Sequence, residues 1–388
     1  MSPHRNGSLP DFKLWEEMLR QTGVTGPCLI LDKGRLMHNL ALARERLHPG
    51  VEVRVVAKSL AAPPLLDLAM EQLDARGVMS FSAPMLEELL HLRPNAEHLL
   101  GKPLPAPAAA RILDRNVRAR DQVIWLIDTL ERAQQYDALA RERGLVLPIA
   151  VELDVGLHRG GFTTKTLPPA IEAISTLKGL RLQGAMGYEP HLAKLPALLR
   201  AAARRRVESG LKLAREMLQV HCNTPIINTG GSLTFDRYGP QHGVSEVALG
   251  SLLVKPKDFG LPATEGFAPA LFIATPVLKY MPRNPIPGLE ALSPLTGLRN
   301  RADLAIYGGY WKASPVYPKD YGYSGIFGRS SNQEVWSGPR LKQSPVGGYA
   351  FLRPDQSEAI LPEFGELLVV SEQQELEHWP CFSPSCQL

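Results

Sequence analysis

Residues Val51–Leu60 read VEVRVVAKSL, and the end of this stretch separates two folds. Val53, Val55 and Val56 are β-branched and apolar, the signature of a buried strand. Lys58 follows directly, and Ala61-Ala62-Pro63-Pro64 then opens a helical segment through Leu65, Leu66, Leu68 and Met70. An open doubly wound sheet needs a glycine-rich phosphate loop after its first strand, and Ala57-Lys58-Ser59-Leu60 has no glycine. A barrel makes no such demand. Further strand-like runs follow at Val78–Phe81, His98–Leu100, Val123–Ile127, Leu147–Leu153, Leu180–Met186, Ile226–Asn228 and Val247–Leu249. Amphipathic segments such as Ala83–Leu92, Thr129–Arg143, Leu167–Leu177 and Ala193–Val220 lie between them. This alternation predicts an α/β fold, a (β/α)8 barrel.

The texture changes after Asp258. Leu271–Leu278, Leu304–Tyr307, Gly348–Phe351 and Glu366–Val370 have strand character, and the segments joining them are rich in Pro, Gly, Tyr and Ser. We therefore expect three parts. Residues 1–26 form an N-terminal segment packing on the C-terminal domain. Residues 27–262, with a short strand at Pro27–Leu31, form the barrel. Residues 263–388 form a mostly β domain with long loops at Met281–Arg299 and Tyr307–Asn332.

Composition narrows the partners. The chain has 388 residues, 44% hydrophobic and 21% charged, which is ordinary for a soluble globular protein. A net charge of +4 spread over 43 basic and 39 acidic residues implies neither a nucleic acid nor a membrane partner. No apolar run is long enough to span a bilayer, and Met1–Arg20 lacks the apolar core of a signal peptide. Cys28, Cys222, Cys381 and Cys386 are scattered, which points to a reducing cytoplasm, and the last two lack zinc-like spacing.

In a barrel the reactive groups sit at the C-terminal ends of the strands. There the first strand delivers Lys58, whose amine, partly buried, can be neutral and attack a carbonyl. The fifth delivers Asp154–Phe162, in which glycines admit a ligand and Arg159 supplies a permanent cation. The sixth delivers Gly187-Tyr188-Glu189-Pro190-His191. Tyr188 and His191 suit stacking or proton transfer, and Glu189 and Pro190 equally suit a helix-initiating turn. The seventh delivers Asn228-Thr229-Gly230-Gly231-Ser232, a hydroxyl-flanked glycine pair fit for a phosphate, and Ser251 past the eighth adds a donor. No Ser-His-Asp spacing, HExxH or Walker loop is present. A lysine, an arginine, an aromatic and a phosphate seat on one rim suit pyridoxal 5'-phosphate.

The order of these motifs resembles the fold-type III pyridoxal-phosphate enzymes, and within them the D-threonine aldolase and D-serine dehydratase-like branch, which shares its barrel with alanine racemase. The resemblance rests on GPCLILDKGRLMHNL (Gly26–Leu40), VRVVAKSL (Val53–Leu60), ELDVGLHRGGF (Glu152–Phe162), LQGAMGYEPH (Leu182–His191), INTGGS (Ile227–Ser232), VALGS (Val247–Ser251) and GGYWKASPVYP (Gly308–Pro318). It implies that Lys58 is the Schiff-base lysine and that Thr229, Gly230, Gly231 and Ser232 bind the phosphate. Arg159 is implied near the cofactor, Tyr188 near its ring, and His191 as a catalytic neighbour. It also implies a free amino acid as substrate, a D-enantiomer, and a homodimer.

One departure concerns metal. Members of that branch hold a divalent ion through a His-x-Cys or His-x-Asp pair after a proline. Here Arg353-Pro354-Asp355-Gln356-Ser357-Glu358 puts Gln356 and Glu358 in those places, so no metal is expected. Without one, racemisation becomes the alternative to lyase chemistry. Racemases of this fold need a second acid/base tyrosine from a partner subunit, for which Tyr310, Tyr317, Tyr321 and Tyr323 are candidates. A non-catalytic pyridoxal-phosphate carrier is the alternative of another class.

Overall fold

The computed structural model describes residues 9–292 and 301–387. Residues 1–8 of the N-terminal segment, 293–299 of the Met281–Arg299 loop and the last residue lie outside the described residues. The chain divides into two compact units. One is Leu40–Leu253 with Leu261–Thr264 and Phe382–Leu388; the other is Met1–Asn39 with Val254–Gly260 and Glu265–Cys381.

After strand β1 (Cys28–Asp32), eight strands close a parallel barrel. They are β2 (Glu52–Val56), β3 (Gly77–Ser80), β4 (Glu97–Leu100), β5 (Val123–Ile127), β6 (Leu147–Leu153), β7 (Leu180–Gly187), β8 (Ile226–Thr229) and β9 (Glu246–Leu249). β9 closes the ring by pairing with β2, Val53 opposite Val247 and Val55 opposite Leu249. β5 and β6 are buried along their whole length, as strands covered on both faces must be. Helix starts follow capping chemistry. The Ser82 side chain accepts the Met85 N–H at the head of Ala83–Leu92, and Thr129 accepts that of Arg132 at the head of Leu130–Glu142.

The barrel contains charge. Arg54, 2% exposed, is paired by its Nε with Glu246 Oε1 at 2.6 Å and by its Nη2 with Glu97 Oε1 at 2.6 Å. Asn228 Nδ2 donates to the same Glu246 oxygen at 2.8 Å, so β2, β4, β8 and β9 are bound by one polar network. Gly77 makes room for it: a β-carbon there would lie 2.5 Å from the guanidinium. His98 is fully buried on β4, and burial, followed by the charge of Arg54, pushes its pKa down to about 4.

The other unit is a sheet. Its strands after β1 are β10 (Leu271–Met281), β11 (Ala302–Tyr307), β12 (Ala313–Tyr317), β13 (Gly322–Tyr323), β14 (Gln333–Gly338), β15 (Tyr349–Pro354), β16 (Glu366–Val370) and β17 (Leu376–Pro380). The main path runs β13-β14-β11-β10-β1-β16-β17, and β15 joins β10 to β12. The helix Phe12–Gln21, capped by Asp11, lays Phe12 and Trp15 on this sheet. Phe12 stacks on Phe351 with centroids 4.6 Å apart, and Trp15 meets Phe272 edge-on at 5.5 Å.

Three expectations change. The strand expected at Pro27–Leu31 belongs to the sheet, antiparallel to β10 and parallel to β16, not to the barrel domain. A buried apolar run satisfies either sheet, and its own periodicity does not say which. Tyr307–Asn332 is not one loop, because it carries β12 and β13. β12 pairs with β15 alone, so Pro315 is tolerated at an edge, and proline and glycine hid the strand pattern. Residues 382–387, expected in the β domain, fall in the barrel unit: the Phe382 N–H donates to the Ala61 carbonyl at 2.9 Å.

His98 makes a test of this core. Its folded pKa lies below its unfolded value of 6.5, so the unfolded chain binds the extra proton between pH 6.5 and 4. Stability should fall by about 3 kcal/mol across that window on this account alone. Urea denaturation of His98→Gln should show a correspondingly shallower acid limb than the parent. Identical acid limbs would contradict the burial argument.

Candidate active site at the barrel rim

Lys58 stands in the tight turn Ala57–Leu60 that follows β2, where Ala57, Ser59 and Leu60 are buried. Its Nζ lies 4.0 Å from the centroid of the Phe81 ring, the residue just past β3. Phe81 was not singled out in the sequence, and its place as the last residue of a predicted strand was the available signal. Its ring lies against Gly101 after β4, where a β-carbon would fall 2.3 Å from it.

Hydroxyls tie the neighbouring strand ends together. Ser251 Oγ donates to Ser59 Oγ at 2.9 Å, and the Leu252 N–H donates to Ser232 Oγ at 3.1 Å. The lysine turn, the segment after β9 and the glycine turn after β8 are thus held on one rim. Gly230 adopts φ 74°, a left-handed conformation that favours glycine. Neither the Gly231 nor the Ser232 amide has an acceptor among the described residues.

The Thr229 side chain is fully buried, and its hydroxyl donates to Glu189 Oε2 at 2.6 Å. The Gly230 N–H is also directed to Glu189 Oε2, at 3.3 Å. Of the four residues expected at the phosphate, Gly231 and Ser232 are the two whose amides have no acceptor among the described residues. Glu189 was read only as part of a helix-initiating turn; its role here depends on contact with residues 40 positions away, which no local signal carries.

Tyr188 and Arg159 adjoin this seat. A β-carbon on Gly231 would lie 3.0 Å from Tyr188 Cε2, so the ring rests on that glycine. The Arg159 guanidinium sits 5.2 Å from the Tyr188 centroid and 3.6 Å from Glu152 Oε1. Burial raises the Glu152 carboxyl above its ordinary range, and Arg159 opposes that rise. Asp154 organises the loop. Burial opposes its charge, yet hydrogen bonds from the Gly156 and His158 amides and the His158 ring hold its pKa low. His191 belongs with this loop: its Nε2 would be 3.3 Å from a β-carbon on Gly156, and its Nδ1 is buried without a partner. Burial, then His158, lowers its pKa.

In the sheet unit the four candidate tyrosines separate. Tyr317 donates to Glu16 at 3.4 Å, Tyr321 to the Pro339 carbonyl at 2.7 Å, and Tyr323 to the Ala313 carbonyl. Tyr310 is 66% exposed at φ 62°, its amide held by Glu334 at 3.3 Å and its hydroxyl without a partner among the described residues. Gln356 Oε1 accepts from Lys312 Nζ at 2.6 Å while its Nε2 donates to Asp258 at 2.9 Å. Glu358 accepts from Ser357 at 3.2 Å.

The model of the alanine racemase N-terminal domain matches residues 31–257. The chain belongs to the alanine racemase N-terminal domain family. This is a family of pyridoxal-phosphate-dependent enzymes of fold type III. D-threo-3-hydroxyaspartate dehydratase of Delftia sp. (strain HT23) is 24% identical over 237 residues, 58% of this chain and 60% of that protein. The alanine racemase of Limosilactobacillus fermentum is 29% identical over 138 residues, 35% of this chain and 36% of the racemase. The matches thus span less than two thirds of these relatives. Among solved structures, the Delftia dehydratase superposes with a TM-score of 0.73 at 18% identity, covering 93% of this chain and 98% of that one. D-threonine aldolase from Filomicrobium marinum gives 0.72 at 18% identity, covering 93% and 96%. At those identities the likeness establishes the fold, a barrel of this family with a β domain.

The rim yields a packing test. In Gly101→Ala the new methyl must displace the Phe81 ring from beneath the Lys58 amine. Overpacking of this kind should cost about 1–3 kcal/mol, read as a lower urea midpoint. An unchanged midpoint would show that the ring has room to move.

Proposed function

We propose that the protein is a pyridoxal-phosphate-dependent enzyme acting on a free amino acid, with D-amino acids as its substrate class. The observation that carries the reading is the joining, on one rim, of the Lys58 amine over Phe81 to the unengaged amides of Gly231 and Ser232. The Ser59–Ser251 and Ser232–Leu252 hydrogen bonds make that link. An amine beside an aromatic face and an anion seat of backbone donors suit the two ends of the cofactor, its aldehyde and its phosphate. Gly231 and Ser232 would hold the phosphate, Lys58 the aldehyde carbon, and Tyr188 with Arg159 would border the ring. Thr229 and Gly230 would shape the turn instead of binding.

When bound, the cofactor supplies an electron sink for charge developing at the substrate's α-carbon. The chain supplies the rest. Lys58, besides holding the aldehyde, would be the base that takes or returns the substrate's α-proton. Arg159 contributes a fixed positive charge beside Tyr188. His191, committed to the Gly156 loop, is given no proton in this reading.

The names of the dehydratase and the aldolase support a lyase acting on a D-amino acid. The strip at Gln356 and Glu358 weighs against metal-assisted dehydration or aldol cleavage: the amide oxygen already faces the Lys312 ammonium, and one carboxylate is a poor zinc donor set. Tyr310 favours a second reading, an amino-acid racemase. Of the four candidate tyrosines it has the exposed ring and the unengaged hydroxyl among the described residues. The sheet unit weighs against a bare cofactor carrier. A homodimer in a reducing cytoplasm, with the four cysteines unpaired, completes the proposal.

Borohydride treatment of the pyridoxal-phosphate-loaded protein should leave a pyridoxyl group on the peptide bearing Lys58, and Lys58→Ala should lose it. A parent protein without that adduct would sink the reading. D-serine, D-threonine and both alanines, with and without EDTA, Mn²⁺ or Zn²⁺, then separate the outcomes. Keto acid or aldehyde marks a lyase. Enantiomer exchange marks a racemase, in which Tyr310→Phe should slow turnover at least ~100-fold. Failure of every amino acid to shift the cofactor's absorbance would favour a carrier.

A further inference from the structure

Behind the glycine turn lies a carboxyl that none of the chemistry above uses. Glu189 is fully buried at the end of β7, directly after Tyr188. It accepts from Thr229 Oγ1 at 2.6 Å and from the Gly230 amide at 3.3 Å on one oxygen, and from Thr234 Oγ1 at 2.7 Å on the other. These three donors enclose the turn: Thr229 ends β8, Gly230 begins the left-handed bend, and Thr234 closes it. Tyr238 packs behind Gly230, 3.6 Å from where a β-carbon would stand. Tyr188 rests on Gly231. The consecutive residues Tyr188 and Glu189 therefore both contact the turn.

A buried carboxyl is costly unless its hydrogen bonds are satisfied, and here each partner belongs to the turn. Burial raises the pKa of Glu189, against the pull of those three donors. Glu189 engages the Gly230 amide, whereas the next two amides, of Gly231 and Ser232, have no acceptor among the described residues. We propose that Glu189 is a positioning residue that sets the anion-binding conformation of Gly231 and Ser232, so that the cofactor's phosphate affinity depends on a group that never touches it. This rests on the functional reading given above.

The experiment compares pyridoxal phosphate with pyridoxal, which differ only in the phosphate. Affinities of both are measured by absorbance titration of the full-length apoprotein. Glu189→Ala should weaken pyridoxal phosphate about tenfold or more while pyridoxal changes less than about threefold. Thr234→Val, which removes one donor on the far side of the turn, should show the same selective loss at smaller size, and Glu189→Gln should recover part of it. Parallel loss of both ligands would mean a merely structural role and overturns the proposal, as does a phosphate preference unchanged in all three variants. If Glu189→Ala does not fold, the other two decide by the same criteria. A parent protein that binds neither compound, or prefers neither, refutes the functional reading itself and is thereby distinguished from a failure of Glu189.

Discussion

The pairing of β9 with β2 is the constraint on which the site depends. A parallel sheet that closes on itself has no free edge, and closure brings the first and last strands of the barrel into contact although they lie almost 200 residues apart (about the length of a whole domain). Ser59 and Ser251 meet because of it. So do the lysine turn and the glycine turn, through Leu252 and Ser232. An open sheet with the same strands would leave these groups at opposite edges.

Closure also explains the charge inside the barrel. Arg54 reaches acids on β4 and β9, and Asn228 adds β8 to the same network. Buried ion pairs contribute little net stability, because desolvation consumes most of the attraction. Breaking one leaves a charge without water or partner, so the network penalises any arrangement that separates these four strands. The rim repeats this logic at Glu189, a buried carboxyl whose donors all come from one turn.

Much of this was legible in the sequence. The eight barrel strands were recognised because strands buried on both faces are continuous apolar runs, and VIWLI at Val123–Ile127 permits little else. The positions of Lys58, Arg159, Tyr188, Gly231 and Ser232 in segments that follow barrel strands were readable as well. The edge strands β12 and β13 were not, since edges tolerate proline and glycine and so lose the alternation that marks a strand. Cys28–Asp32 was readable as a strand without revealing its sheet.

By itself, the order of apolar runs and the residues that end them determined a barrel with a lysine and a glycine pair after its strands. Tertiary structure decided which hydroxyl is spent inside. Thr229 and Ser232 are interchangeable as residue types, and the buried Glu189 claims one and leaves the other to Leu252. It also sets apart four tyrosines, three of which give their hydroxyls to neighbours in the fold. The physical reason is common to both: a side chain's hydrogen-bonding capacity is written in its chemistry, but how much of it remains free is set by partners that are distant in the chain.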